Sequence, residues 1–262
     1  MRILLVNDDG IHSPGISALR EVFAEKHEVW TCAPDREKSG ASHSITFADP
    51  VRTRKVDDKA FAIQGTPADC VLTAFHQYMP EPPDIVVSGI NLGANLGADI
   101  VYSGTAGAAR QAVFLGIPGV AVSLDTFTPP CHFNTAARFV AGNIQDFLQL
   151  WLDSGDKTHF LNINVPNVEA FDGSVLIAPP AKLAYENRMV SFSAPRGESY
   201  LFYEGNKRLG MEEEVNTDID LVSDGNIVIT PVEVYPVLSR TAEMYAAQKF
   251  VTGDGRKGPA GS

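Results

Sequence analysis

Residues 3–16 read ILLVNDDGIHSPGI, and this stretch decides the fold. Ile3, Leu4, Leu5 and Val6 are four consecutive apolar residues, as expected of a strand buried on both faces of a parallel sheet. Asp8-Asp9-Gly10 ends the run. Asp hydrogen-bonds nearby backbone and Gly accepts positive φ without steric cost, so a tight turn is predicted here. After Pro14-Gly15, Ile16, Leu19, Val22 and Phe23 recur at helical spacing and predict a helix of about ten residues. HEVWTCAPD (27–35) supplies a second strand and completes a β-α-β unit.

The same theme recurs downstream. Short strands are expected at 51–56 and 60–63. Thr66 and Pro67 in GTPADC then open a helix, the first as cap and the second in the first turn. In PDIVVSGIN (83–91) an apolar strand runs into a polar loop, a helix is predicted over 105–115, and PGVAVSL (118–124) is a further strand. Phe139, Val140, Ile144, Phe147, Leu148 and Trp151 give a long helix with one apolar face, and HFLNINVP (159–166) is a strand. Strands alternating with helices predict an α/β fold, a Rossmann-like, doubly wound and mostly parallel sheet.

After residue 165 the pattern changes to strand-like pieces, including YLFYEG (200–205) and NIVITPV (226–232), with a helical reading for 239–250. The organisation expected is a core over 1–165 and a β-rich, helical arm over 166–250. The segment 251–262 has almost no apolar content and is expected to be a frayed tail.

The chain has 262 residues, with 21 Lys and Arg against 32 Asp and Glu for a net charge of −11. That sign disfavours stable binding to a nucleic-acid backbone. A phosphorylated small molecule stays possible, because a bound cation reverses the local sign of a site. Cys32, Cys70 and Cys131 form no CxxC pair and read as reduced thiols. The apolar run at the N-terminus is too short for a signal-peptide core or a membrane span. No membrane association is expected, and the location expected is the cytoplasm.

In an open parallel sheet, ligands bind beyond the carboxyl ends of the strands. The polar residues following strands are Asn7, Asp8 and Asp9; Asp35, Arg36, Lys38 and Ser39; and Ser88, Asn91 and Asn95. Adjacent carboxylates repel unless a proton or cation intervenes. Hard divalent cations take oxygen ligands, so Asp8, Asp9, the Ser39 hydroxyl and the Asn91 amide oxygen suit Mg²⁺ or Mn²⁺. Without His or Cys the set argues against zinc. Ser103, Gly104 and Thr105 lie at a helix start, where backbone N–H groups suit a phosphate and where Ser103 or Thr105 also suits an N-cap. His12 and His43 lie beside these loops and read as loop residues with local hydrogen bonds. There is no GxGxxG after the first strand and no GxxxxGK[ST] loop. The DxD pattern of haloacid-dehalogenase phosphatases is also missing, since the run is Asn7-Asp8-Asp9.

Taken together, NDDGIHSPGI, APDREKSG, GTPADCV, PDIVVSGINLGANLG, DIVYSGTAGAA, GIPGVAVSL and LNINVP resemble the SurE family of survival-protein nucleotidases. The match covers the first two-thirds of the chain. In the last third, Thr217-Asp218 and Ile229-Thr230-Pro231 fit, while Asn226 and Val228 stand where similar proteins carry an aromatic and a Ser. The resemblance implies a metal-dependent phosphomonoesterase that hydrolyses 5′- or 3′-nucleoside monophosphates. The competing expectation is a non-catalytic nucleotide-binding module on the same scaffold. The resemblance also implies one divalent cation per subunit, Mg²⁺ or Mn²⁺ (or Ca²⁺ in a crystal), on Asp8, Asp9, Ser39 and Asn91. Asp8 and Asp9 are implied as catalytic residues, either of them able to orient or deprotonate water. Phosphate contacts are implied for Asn95, Ser103, Gly104 and Thr105. A homodimer or homotetramer is implied through the C-terminal segment.

Overall fold

In the computed structural model, which describes residues 1–210, 215–236, 249–251 and 257–259, the opening stretch is a strand, turn and helix. Strand β1 is Arg2–Val6 and helix α1 is Pro14–Ala24. The Ser13 side chain caps α1 by accepting from Ile16 N–H, and Pro14 fills the first turn. There follow β2 (Glu28–Pro34), β3 (Thr53–Asp57), β4 (Ala60–Ile63) and α2 (Pro67–Thr73), which runs on as a π-helical turn over Ala74–Tyr78. Thr66 caps α2 in a reciprocal box with Asp69, each side chain taking the other's backbone N–H.

Next come β5 (Ile85–Leu92), the short α3 (Asp99–Tyr102), α4 (Gly104–Phe114), β6 (Gly119–Asp125), α5 (Phe133–Asp153) and β7 (His159–Pro166). The remainder is β8 (Val175–Ile177), β9 (Leu183–Ser193), β10 (Ser199–Gly210), α6 (Asp218–Ser223), β11 (Ile227–Glu233), β12 (Lys249–Val251) and β13 (Lys257–Pro259). Of the helix expected over 239–250, residues 239–248 lie outside the described residues, and 249 and 250 belong to β12, which pairs antiparallel with β13.

The nine-stranded sheet has the order β3-β4-β2-β1-β5-β6-β7-β11-β8. The six strands from β4 to β7 are mutually parallel, while β3 and β11 run antiparallel to β4 and β7. β8 and β11, from the region beyond residue 165, therefore extend the main sheet. β9 and β10 pair apart from it, as a two-stranded antiparallel ribbon, as do β12 and β13.

The period-two alternation explains why Ile3 to Val6 of β1 are all apolar. Ile3 and Leu5 pack on one face with Leu19 and Phe23 of α1 and Val140, Ile144 and Phe147 of α5. Leu4 and Val6 pack on the other with Cys70 and Val71 of α2 and Ala108 and Ala112 of α4. Each Ile or Leu fully buried this way contributes about 1.5–3 kcal/mol. The order of the strands reverses at β1: the chain moves outward to β2 and β4, then returns to place β5 on the other side. The crevice at this reversal is where the polar loops meet.

Candidate active site

Asn7 is fully buried and shapes the turn after β1. Its Nδ2 donates to Gly10 O at 2.9 Å and to Ser13 Oγ at 2.7 Å, and its Oδ1 accepts Gly10 N–H at 3.2 Å. Gly10 has φ of 102°, which explains the glycine. The two acids beyond Asn7 are thus held on a fixed turn at the sheet's carboxyl edge.

Asp8 is buried and gripped by the start of α4. Thr105 N–H donates to its Oδ2 at 3.1 Å and Thr105 Oγ1 to its Oδ1 at 2.5 Å. A Cβ on Gly104 would lie 2.9 Å from Asp8 Cβ and 3.0 Å from Pro67 Cγ, so only glycine allows this approach. Burial raises the Asp8 carboxyl, and the Thr105 hydrogen bonds oppose it. Asp9 has less support. Leu92 N–H donates to its Oδ2 at a long 3.4 Å. Burial, then the neighbouring Asp8 charge, pushes its carboxyl up to about 7, with Glu37 adding to the rise.

The loop after β2 closes on this turn. Lys38 N–H donates to Asp8 O at 2.7 Å, and the exposed Ser39 hydroxyl donates to Glu37 at 2.8 Å. Further along, Ser42 N–H and Oγ donate to Tyr102 O and Val101 O at 2.9 and 2.6 Å. Thr46 donates to both Asp69 oxygens, at 3.0 and 2.6 Å. The loop is therefore tied to β1, to α3 and to the cap of α2. On the other side, Asn91 at the end of β5 donates from Nδ2 to Gly93 O at 2.7 Å, which fixes the amide's orientation and leaves its oxygen able to accept.

Asp8, Asp9, the Ser39 loop and Asn91 thus converge on one rim. Among the described residues no group of three or more His, Cys, Asp or Glu could hold a metal, so a cation here would depend on two carboxylates with neutral oxygens. The donor set fits a hard cation. It is all oxygen; burial raises both carboxyls and the Asp8 charge raises Asp9 further, a cost that a divalent charge between them removes.

The four residues expected at a phosphate are placed differently from one another. Ser103 Oγ caps α4 by accepting Ala106 N–H at 3.1 Å and keeps its own hydrogen to donate. Thr105 spends both donors on Asp8, so phosphate could reach it only by displacing that carboxylate. Asn95 is buried in a network: its N–H donates to Asn164 Oδ1, its Nδ2 to Ser123 Oγ, and its carbonyl accepts from Asn162 and Asn164. The visible signal for that network was the pair Asn162 and Asn164, two residues apart on one face of an otherwise apolar strand. Sequence reasoning also missed Asp218. Fully buried, it accepts Gly97 N–H at 2.7 Å and Ala181 N–H at 2.9 Å and so ties the loop after β5 to the C-terminal segment. His43 lies against Phe114 with ring centroids 5.4 Å apart and hydrogen-bonds Gln111 at 2.9 Å, while His12 is exposed. The three cysteines are free, Cys32 and Cys70 buried. No helix among the described residues is long and apolar enough to cross a membrane.

The family described as "Survival protein SurE" matches residues 3–186. The chain is 42% identical over 235 residues to a 5′-nucleotidase SurE of Geotalea uraniireducens (strain Rf4), covering 89% of this chain and 93% of the relative. It is 42% identical over 239 residues to a 5′-nucleotidase SurE of Xanthomonas campestris pv. campestris (strain B100), covering 89% and 90%. The crystal structure of a SurE protein from Aquifex aeolicus superposes with a TM-score of 0.79 at 35% identity, covering 93% of this chain and 98% of that one.

Proposed function

The chain belongs to the survival protein SurE family, and on that footing we propose that its rim of acids is the centre of a metal-dependent 5′-nucleotidase. The enzyme hydrolyses nucleoside monophosphates to nucleoside and phosphate. The observation that carries the assignment of the centre is the meeting of two raised carboxyls at the reversal of strand order, one gripped by a helix N-terminus.

Asp8, Asp9, Ser39 and Asn91 would hold one Mg²⁺ or Mn²⁺. Bound there, the cation supplies charge to a phosphate oxygen and acidity to a water. Asp8, with both oxygens tied to Thr105, is a fixed ligand. Asp9 donates neither geometry nor charge so firmly; with Oδ2 on Leu92 N–H, its Oδ1 orients the attacking water and accepts its proton. Water forms the new bond to phosphorus as the bond to the ribose oxygen breaks, and a proton from solvent completes the departing hydroxyl while Asp9 returns its own to solvent. The Ser103 hydroxyl takes an equatorial oxygen of the phosphate; Gly104 and Thr105, whose N–H groups serve Asp8, and Asn95 act by holding Asp8 and the loop after β5. 3′-Nucleotides belong to the same proposed range.

The same reading makes the C-terminal segment an oligomerisation arm for a dimer or tetramer. Met189, Phe192, Tyr200, Leu201, Phe202 and Tyr203 are exposed on the β9–β10 ribbon, which supports it. Free thiols support a cytoplasmic location.

Phosphate release from AMP and 3′-AMP tests the centre, with Mg²⁺, Mn²⁺ or chelator, and with Asp8→Asn and Asn91→Ala. Chelation and both substitutions are expected to lower turnover by at least about a hundredfold. Turnover with chelator, or variants as active as the parent, defeats the assignment.

A further inference from the structure

Phe127, just beyond β6, is an exposed aromatic that nothing in the fold requires: 71% of it is open to solvent. Solvated aromatics on loops are ordinarily mobile, but this one sits on a clamped turn. Thr126 N–H donates to Leu124 O at 2.8 Å, Thr126 Oγ1 to Thr128 O at 2.9 Å, and Thr128 N–H back to Thr126 Oγ1 at 3.2 Å. The ring's Cδ1, Cε1 and Cζ side lies on the backbone of Gly93. A Cβ at Gly93 would meet Cε1 at 2.3 Å and Cζ at 2.6 Å, so glycine is what lets the ring settle.

Gly93 is part of the site's frame. Its carbonyl accepts from Asn91 Nδ2, its N–H donates to Leu124 O at 3.0 Å, and the preceding Leu92, also exposed, donates its N–H to Asp9. A single residue therefore connects the fixed ring to the orientation of Asn91. The ring stands on a hydrogen-bonded turn against Gly93, exposed and apolar.

We propose that Phe127 is the stacking platform for the nucleobase of the substrate. The inference rests on the nucleotidase reading, since a nucleotide whose phosphate lies at Asp8, Asp9 and Ser103 must place its base one ribose away. A bare aromatic surface stacks on any base without reading its edge. Recognition at this position is thus tolerant of base identity and selective for the presence of a base.

The test compares AMP with ribose 5-phosphate, which keeps the phosphate and sugar and lacks the base, using the full chain with Mn²⁺. Base stacking on an aromatic ring is worth about five- to a hundredfold on removal of the ring. Phe127→Ala is expected to lower the ratio of kcat/KM for AMP over ribose 5-phosphate by about tenfold, through KM, while Phe127→Trp keeps it and Phe127→Leu loses it. An unchanged ratio in Phe127→Ala, or a fall in Tyr102→Ala alone, overturns the platform. Tyr102 is another exposed aromatic, at the end of α3 next to Ser103. Should the parent hydrolyse neither compound, the nucleotidase reading fails. The platform is then decided by equilibrium binding of AMP and ribose 5-phosphate to the parent and Phe127→Ala: a selective loss for AMP upholds it, equal affinities overturn it.

Discussion

Replacing Asp9 by Asn is expected to stabilise the metal-free protein while removing much of its response to a divalent cation. The Asp9 carboxyl moves from 3.8 to about 7, by burial first and by the Asp8 charge second. A carboxyl raised in the folded state opposes folding when ionised. The penalty is complete above the folded value, shrinks as pH falls through 7, and vanishes below the unfolded value. At 1.36 kcal/mol per unit the shift amounts to about 4 kcal/mol at pH 8, and partial solvent access screens it to roughly 2 kcal/mol. By the same linkage about half of it remains at pH 5. Asn has the same shape and keeps an oxygen for Leu92 N–H. Urea unfolding in EDTA at pH 8 and pH 5, repeated with Mn²⁺, measures all three quantities. The variant should exceed the parent by about 2 kcal/mol at pH 8 and by about half that at pH 5, and Mn²⁺ should stabilise the parent more. Equal or lower stability of the variant at pH 8, or a gain independent of pH, would refute the reasoning.

Asp218→Ala leaves the Gly97 amide buried and unpaired and frees that of Ala181; thermal unfolding should show a loss of about 2–4 kcal/mol, with Asp218→Asn milder because one acceptor remains. Gly15→Ala places a methyl 2.0 Å from Ile90 O, so α1 must move off β5. Denaturant unfolding should register about 1–3 kcal/mol or more, and phosphate release should fall as well, because Ile90 adjoins Asn91.

The core was legible because parallel strands buried on both faces leave an unmistakable trace. Ile3 to Val6 and Ile85 to Val87 are runs without alternation, and the structure buries each of these residues. Residues 60–63 form β4 as expected, and α4 occupies 104–114 where 105–115 was predicted. Period-two and period-3.6 reasoning weakens where apolar residues do not face a core. Tyr200, Leu201, Phe202 and Tyr203 form a run like that of a buried strand, yet all are exposed on a two-stranded ribbon. Likewise, the sequence puts β8 and β11 after the change of pattern, whereas pairing of β11 to β7 and of β8 to β11 makes them part of the main sheet. No local signal distinguishes a strand that joins a distant edge from one in a separate arm.

At the acids, the limit of sequence was of a different kind. Asp8 and Asp9 are chemically identical neighbours, and a turn followed by a helix start does not say which of them the helix serves. The difference comes from contact across 97 residues: Thr105 offers two donors to Asp8, while Asp9 receives one long N–H from Leu92. A buried carboxylate at a helix N-terminus is stabilised by the dipole and by amides with no other partner. Asp9, lacking that support, is pushed up to about 7 by burial first and by the Asp8 charge second, whereas the Thr105 hydrogen bonds oppose the rise that burial gives Asp8. One acid is thereby fixed in place and the other left responsive to a proton or a cation. That asymmetry is why Thr105, which suits a phosphate in sequence, acts in the fold by holding the residue that precedes the responsive one.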